Sequence, residues 1–150
     1  GIRYDLRDAV LARKLDKPLV IVESAEALST FSKQAVFKSL ITVYKRVARI
    51  LPDDFKGVVT PDLLSHEAEK KLYTQYQSVS ERVAHAWARQ DYGAVLERLS
   101  DLHDPLNRFF DAVMVMDKDE AIRKNRLSLL FEIQQQFEPF GDFSKIVEEA

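Results

Sequence analysis

The chain has 150 residues, 46% of them hydrophobic and 31% charged, with a net charge of −2 and no cysteine. That length suits one domain with a real core, and the composition is globular, neither disordered nor membrane-like. The lack of cysteine excludes disulfides, thiolate metal sites and a cysteine nucleophile, and the near-balanced charge confines any nucleic-acid surface to a local patch.

No apolar run approaches the roughly 18 residues of a membrane-spanning helix, and no charged-then-apolar leader opens the chain. The chain begins Gly1-Ile2-Arg3 without Met and enters a helical pattern at once. It therefore reads as a piece of a longer protein, with residues 1–150 forming a single domain. Four glycines and five prolines are the main punctuation, and no run of period-2 alternation stands out.

A first helix is expected over about 4–14, with Leu6, Val10 and Leu11 on one side. A second spans about 18–30, although β-branched Val20, Ile21 and Val22 weaken its start. The third, about 33–51, is amphipathic, with Val36, Leu40, Val43, Val47 and Leu51 as its core stripe. Residues 52–60 read as a loop, and Thr60 before Pro61 as the start of a long helix reaching about Gln90. Its inner face would carry Ala68, Leu72, Tyr76, Val79, Val83 and Trp87. Another helix covers about 91–101, and Asp104 is expected to cap one whose first residue is Pro105. Asp117 with Glu120 resembles a capping box for a helix over 118–137, and Gly141 breaks the chain before a short terminal helix. The fold class is all-α, a single-domain helical bundle.

Catalytic patterns are missing. His66, His85 and His103 stand at no metal-ligand spacing, and "HEAEK" at 66–70 lacks the second histidine of a zinc-protease helix. There is no glycine-rich phosphate loop and no Gly-x-Ser-x-Gly elbow. Each histidine reads as a surface or half-buried helix residue, and no residue is assigned a catalytic or metal-binding role.

The third helix does carry a chemical signal. Taking Lys38 as zero at about 100° per residue, Lys45 falls near −20°, Arg49 near 20°, Thr42 near 40° and Arg46 near 80°. These positions lie opposite Val47, and no acid occurs between Glu26 and Asp53. Such a one-signed ridge suits phosphate, which releases counterions when neutralised and accepts bidentate arginine. The bland alternative is a solvated face whose charges meet acids on neighbouring helices.

The stretch "FFDAVMVMDKDEAIRKNRLSLL" at 109–130 is a joint between helices. Phe109, Phe110, Val113 and Met116 fit a core face, with Met114 or Val115 available to a neighbour. Asn125 and Arg126 lie near the apolar side of the last long helix, where an arginine must find partners. The expected role of Arg126 is structural, binding helix-end carbonyls or an acid such as Asp111. Arg123 and Lys124 are better placed to reach outward.

That stretch resembles the signature of the DALR-type helical anticodon-binding domain of tRNA ligases, with "EAIR" at 120–123 where the naming tetrapeptide usually stands. "IRYDLRDAVLA" at 2–12, "YKRVARIL" at 44–51, "LLSHEAEKKLY" at 63–73 and "DFSKI" at 142–146 narrow the resemblance. They are similar to the C-terminal end of the beta chain, or beta-like region of a fused enzyme, of bacterial-type glycyl-tRNA synthetase. The resemblance covers almost the whole chain in order. Arg49 stands where that family often has Asn, adding charge to the ridge, and "PLNRFF" at 105–110 departs from its usual small-and-acidic run.

The resemblance implies a cytoplasmic ligase that joins glycine to its tRNA with ATP and magnesium. Its active site would lie on the alpha chain or alpha-like region, outside these residues, leaving no cofactor in this piece. Partners implied are the anticodon arm of tRNA, the rest of the beta chain and the catalytic alpha chain. Lys38, Lys45, Arg46, Arg49, Arg123 and Lys124 would then contact tRNA, while Asp111, Asn125 and Arg126 form a structural joint. Tyr73 or Tyr76 could stack on a base, with core packing the preferred duty of both. Two rivals stand beside this reading: the homologous domain of arginyl-tRNA synthetase, and a helical module that binds a partner helix in an exposed apolar groove.

Overall fold

Helix forms along most of the chain because apolar residues recur every three to four positions and glycine and proline are few. The computed structural model describes residues 18–140 and Phe143. The helix expected over 4–14, and the break at Gly141 with its terminal helix, lie outside the described residues. The elements in order are α1 (Pro18–Phe31), α2 (Ala35–Ile50), a 3₁₀ turn (Pro61–Leu63), α3 (Glu67–Ala88), α4 (Tyr92–Ser100), α5 (His103–Ala112) and α6 (Glu120–Phe137). No strand occurs among the described residues, so the fold is all-α as expected. No helix among them is long and apolar enough to cross a membrane.

α3 packs against α4, α5 and α6; α2 packs against α4, α5 and α6; and α1 lies on α4. Leu40, Ile41, Leu72, Leu96, Leu99 and Phe109 fill the space between them and are essentially unexposed. At the far end, Tyr44, Phe137 and Phe143 form a ring cluster with centroids 5.0–5.7 Å apart. Phe140 joins it to Trp87 at 5.8 Å, tying the ends of α6 and α3 together.

Three boundaries differ from expectation. The long helix does not run unbroken from Pro61: the chain makes the 3₁₀ turn, extends at Leu64, and starts again at Glu67. There Glu69 turns back onto the His66 N–H while the His66 Nδ1 accepts from Ala68 N–H, making a capping box. α5 begins at His103, not Pro105, because Asp101 and Leu102 stay in the right-handed helical region. Asp104 therefore sits in the first turn and pairs with His103 at 3.3 Å instead of capping. α6 is capped by Asp119, whose Oδ1 accepts from Ala121 and Ile122 N–H, whereas Asp117 accepts from Asp119 N–H one step earlier.

The segment after α5 also corrects the sequence reading. At Val113 the backbone turns extended (φ −121°, ψ 131°), so successive side chains alternate sides instead of following a helical period. Val113 and Val115 are buried, while Met114 and Met116 point out, 71% and 53% exposed. Met116 is thus not a core residue.

The loop between α2 and α3 lies against α6. Phe55 meets Phe131 edge-on at 6.0 Å, and Gly57 sits directly over the Ser128 side chain. Glycine is needed there for room and not for conformation, since no glycine of the described residues has positive φ. Gly57→Ala would drive a methyl into the Ser128 hydroxyl, and is expected to cost about 1–3 kcal/mol as overpacking in urea denaturation. Adding Ser128→Ala should recover most of that loss; an unchanged midpoint for Gly57→Ala alone would mean the loop is not seated on α6.

Candidate nucleic-acid interface

The inner face of α2 is fixed by Phe37, Leu40, Ile41, Val43, Tyr44 and Val47, all buried. That leaves Lys38, Thr42, Arg46 and Arg49 exposed, with Lys45 half-buried beside them. No acid among the described residues stands within ion-pair distance of Lys38, Lys45, Arg46 or Arg49. Arg49 lies back along the helix, its Nε donating to the Lys45 carbonyl at 3.4 Å. It also places a cation in the last turn, where the helix dipole favours one. Arg46 stacks over the Phe110 ring of α5, with its guanidinium carbon 4.3 Å from the centroid. A cation over a ring face is attracted by the ring quadrupole, so this contact steadies the guanidinium.

The joint at the start of α6 is built on Arg126, which is buried. Its Nε donates to Glu69 Oε2 at 3.3 Å, and its Nη1 donates to the Met114 carbonyl at 2.7 Å and lies 3.6 Å from Asp117 Oδ2. Glu69 is fully buried, and its other oxygen accepts from Ser65 N–H and His66 N–H at 3.1 and 3.2 Å. One carboxylate thus starts α3 and holds α6. Asp111, expected as a partner of Arg126, is exposed on α5; the acids that face Arg126 are Glu69 and Asp117.

Asn125, also buried, faces the other way. Its Oδ1 accepts from Thr60 N–H at 2.7 Å and its Nδ2 donates to the Thr60 carbonyl at 3.2 Å, so it pairs like a strand neighbour with one residue of the loop. Two turns on, Glu132 accepts from Val59 N–H at 2.8 Å and from the Tyr76 hydroxyl at 3.3 Å. Burial first, and then the Glu132 charge, push Tyr76 up from the ordinary 10.0 to about 12. Arg123 is half-buried and donates to the Asp117 carbonyl at 3.1 Å, so it is turned back onto the joint. Lys124 is exposed, and with Lys56 it lines a shallow groove between the loop and α6.

The predicted site residues thus fall into separate groups. Lys38, Lys45, Arg46 and Arg49 share the α2 ridge; Arg123, Asn125 and Arg126 hold the joint; Lys124 lies on the outer side of α6; and Asp111 stands apart on α5. Sequence reasoning missed Glu69 and Glu132, the two carboxylates that organise the polar ties. The H-x-x-E spacing of His66 and Glu69 was a usable signal, since it has the form of a capping box with histidine in the first place.

A family profile described as the DALR anticodon binding domain matches residues 40–140. The chain belongs to that family. The match takes in most of α2, the loop, the joint and α6. The chain is also similar to proteins named glycine–tRNA ligase beta subunit. It is 35% identical to that of Syntrophus aciditrophicus over 150 residues, covering 100% of this chain and 22% of the relative. It is 38% identical to that of Vibrio campbellii over 148 residues, covering 96% of this chain and 21% of the relative. For Geotalea uraniireducens the identity is 38% over 143 residues, with 95% and 21% covered. The chain spans about a fifth of the length of the curated relatives it matches.

Two measurements test the polar ties. Arg126→Leu leaves the buried Glu69 carboxylate without its counter-ion and is expected to cost about 3–5 kcal/mol in chemical denaturation. Asp111→Ala, on the surface, should stay within about 0.5 kcal/mol of the parent. Equal effects of the two would contradict the assignment of Glu69 as the partner. Tyr76 holds its proton to higher pH folded than unfolded, so its stabilisation is full below pH 10.0 and is lost as pH rises towards about 12. The melting midpoint should therefore fall more steeply across that window for the parent than for Tyr76→Phe.

Proposed function

We propose that this domain grips the anticodon arm of glycine tRNA as part of a glycine–tRNA ligase. In that enzyme a catalytic alpha chain or region elsewhere joins glycine to the tRNA with ATP and magnesium. The observation that carries the reading is the one-signed ridge on α2, within a domain of the DALR anticodon-binding family. Its relatives' names favour the glycine enzyme over the arginine enzyme. Among the described residues no three His, Asp or Glu side chains converge as a metal site needs, and no residue here is assigned to ATP or magnesium.

An anticodon is a single-stranded loop, read by stacking, by hydrogen bonds to base edges and by contacts to its phosphates. On this reading Lys38, Lys45, Arg46 and Arg49 meet the phosphates, and the core face of α2 keeps them in one line. Lys124 and Lys56 extend cationic contact to the loop side of α6. Arg123, Asn125 and Arg126 act by position: they fix α6 and the loop beside it. Tyr76, committed to Glu132, is left to packing. The parent enzyme would work in the cytoplasm, with the rest of the beta chain and the alpha chain as protein partners.

The test is binding of glycine tRNA and an anticodon-swapped tRNA across a salt series, for the parent domain and for Lys45→Glu with Arg49→Glu. The parent should prefer the glycine anticodon and weaken as salt rises. The double variant should bind more weakly, with a log–log salt slope shallower by about two and unchanged helicity and melting. Equal binding of both tRNAs would reduce the role to general RNA gripping. Unfolding of the double variant would make the ridge structural and end its assignment to RNA.

A further inference from the structure

A second surface of the domain has a different chemistry. Met114 and Met116 stand out from main chain that is held at several points. Arg126 binds the Met114 carbonyl, Arg123 binds the Asp117 carbonyl, and Val113 N–H donates to the Phe109 carbonyl at 2.9 Å. Two large apolar side chains are thereby presented to solvent on a fixed backbone. Methionine is the side chain best able to adapt its shape to a partner, and a fixed backbone lowers the ordering cost of binding.

A groove of about 1020 Å³ runs between α3 and α5, and its lining reaches Ala112, two residues before Met114. His66 and Glu67 of one wall, and Asp111 and Ala112 of the other, mark the end nearest the methionines. Arg126 joins that end, since it binds both Glu69 on α3 and the Met114 carbonyl. The walls differ in sign. On the α3 side Lys70 and Lys71 outnumber Glu67, whereas on the α5 side Asp101, Asp104 and Asp111 outnumber Arg108. RNA needs cations along its backbone, and the acidic wall repels it. A protein helix carrying both signs on its flanks matches the two walls.

We infer that this groove, with Met114 and Met116 at its end, docks an amphipathic helix from the remainder of the same beta chain. The helix sets apolar side chains on the methionines and Lys or Arg against the Asp101, Asp104 and Asp111 wall. This rests on reading the chain as about a fifth of a glycine–tRNA ligase beta subunit, the remainder of which supplies the partner.

The experiment places the photo-crosslinker p-benzoylphenylalanine at Met114 in the purified intact enzyme, alpha and beta chains together, with and without glycine tRNA. A second preparation carries the same probe at Arg49. The expected product at Met114 is a crosslink to a beta-chain peptide outside these 150 residues, formed with or without tRNA. Its yield should fall several-fold when Asp104→Lys and Asp111→Lys are added. A Met114 crosslink to the alpha chain, to tRNA, to a second copy of this domain, or to nothing overturns the inference, as does a yield indifferent to the two charge reversals. The Arg49 probe separates the two readings: if it reaches tRNA while Met114 reaches no partner segment, only the docking groove falls. If Arg49 does not reach tRNA, the anticodon reading falls.

Discussion

One buried carboxylate, Glu69, accepts from two main-chain N–H groups at the start of α3 and from the guanidinium of Arg126. The rest of the arrangement depends on it. A charge taken out of water must find partners, and Glu69 finds three that belong to two separate parts of the chain. Satisfying them sets where α3 begins, how α6 is rotated, and, through the Met114 carbonyl, where the turn after α5 passes. Such a pair adds little to net stability compared with an apolar packing of equal size. Its effect is on geometry, because the wrong register of α3 against α6 would leave a buried charge unpaired.

That geometry gives the domain two faces. On α2 the core stripe and the cationic ridge occupy opposite sides of one helix, so burying the first exposes the second. Arg46 over Phe110 links the ridge to α5. Between α3 and α5 the walls carry both signs, and the exposed Met114 and Met116 follow the lining residue Ala112 in the chain.

The helices were legible in the sequence because each carries its own repeat of apolar residues, and α2 was legible in detail because its charges have one sign. The joint was readable as a joint, and Arg126 as a residue needing internal partners, from its place near the apolar side of the last long helix. Which acid would meet it was not readable, since Glu69 lies 57 positions away and no local spacing connects the two. Met116 was misread for a different reason. Seven residues after Phe109 it matches a helical core position, but the chain leaves the helix at Val113, and four residues are too few to establish a period of two. The break before His66 was masked by Pro61, a strong helix-start signal that here opens only a 3₁₀ turn.

The hydrogen bonds from α6 to its neighbouring loops are made to main chain. Asn125 binds the N–H and carbonyl of Thr60, Glu132 the N–H of Val59, Arg126 the carbonyl of Met114 and Arg123 that of Asp117. Every residue except proline offers these same atoms. The side chains at Lys56, Val58, Met114 and Met116 are consequently released from holding the fold together. Substitutions there can accumulate without moving the backbone, so the surfaces that meet other molecules can diverge between species while the scaffold beneath them stays the same.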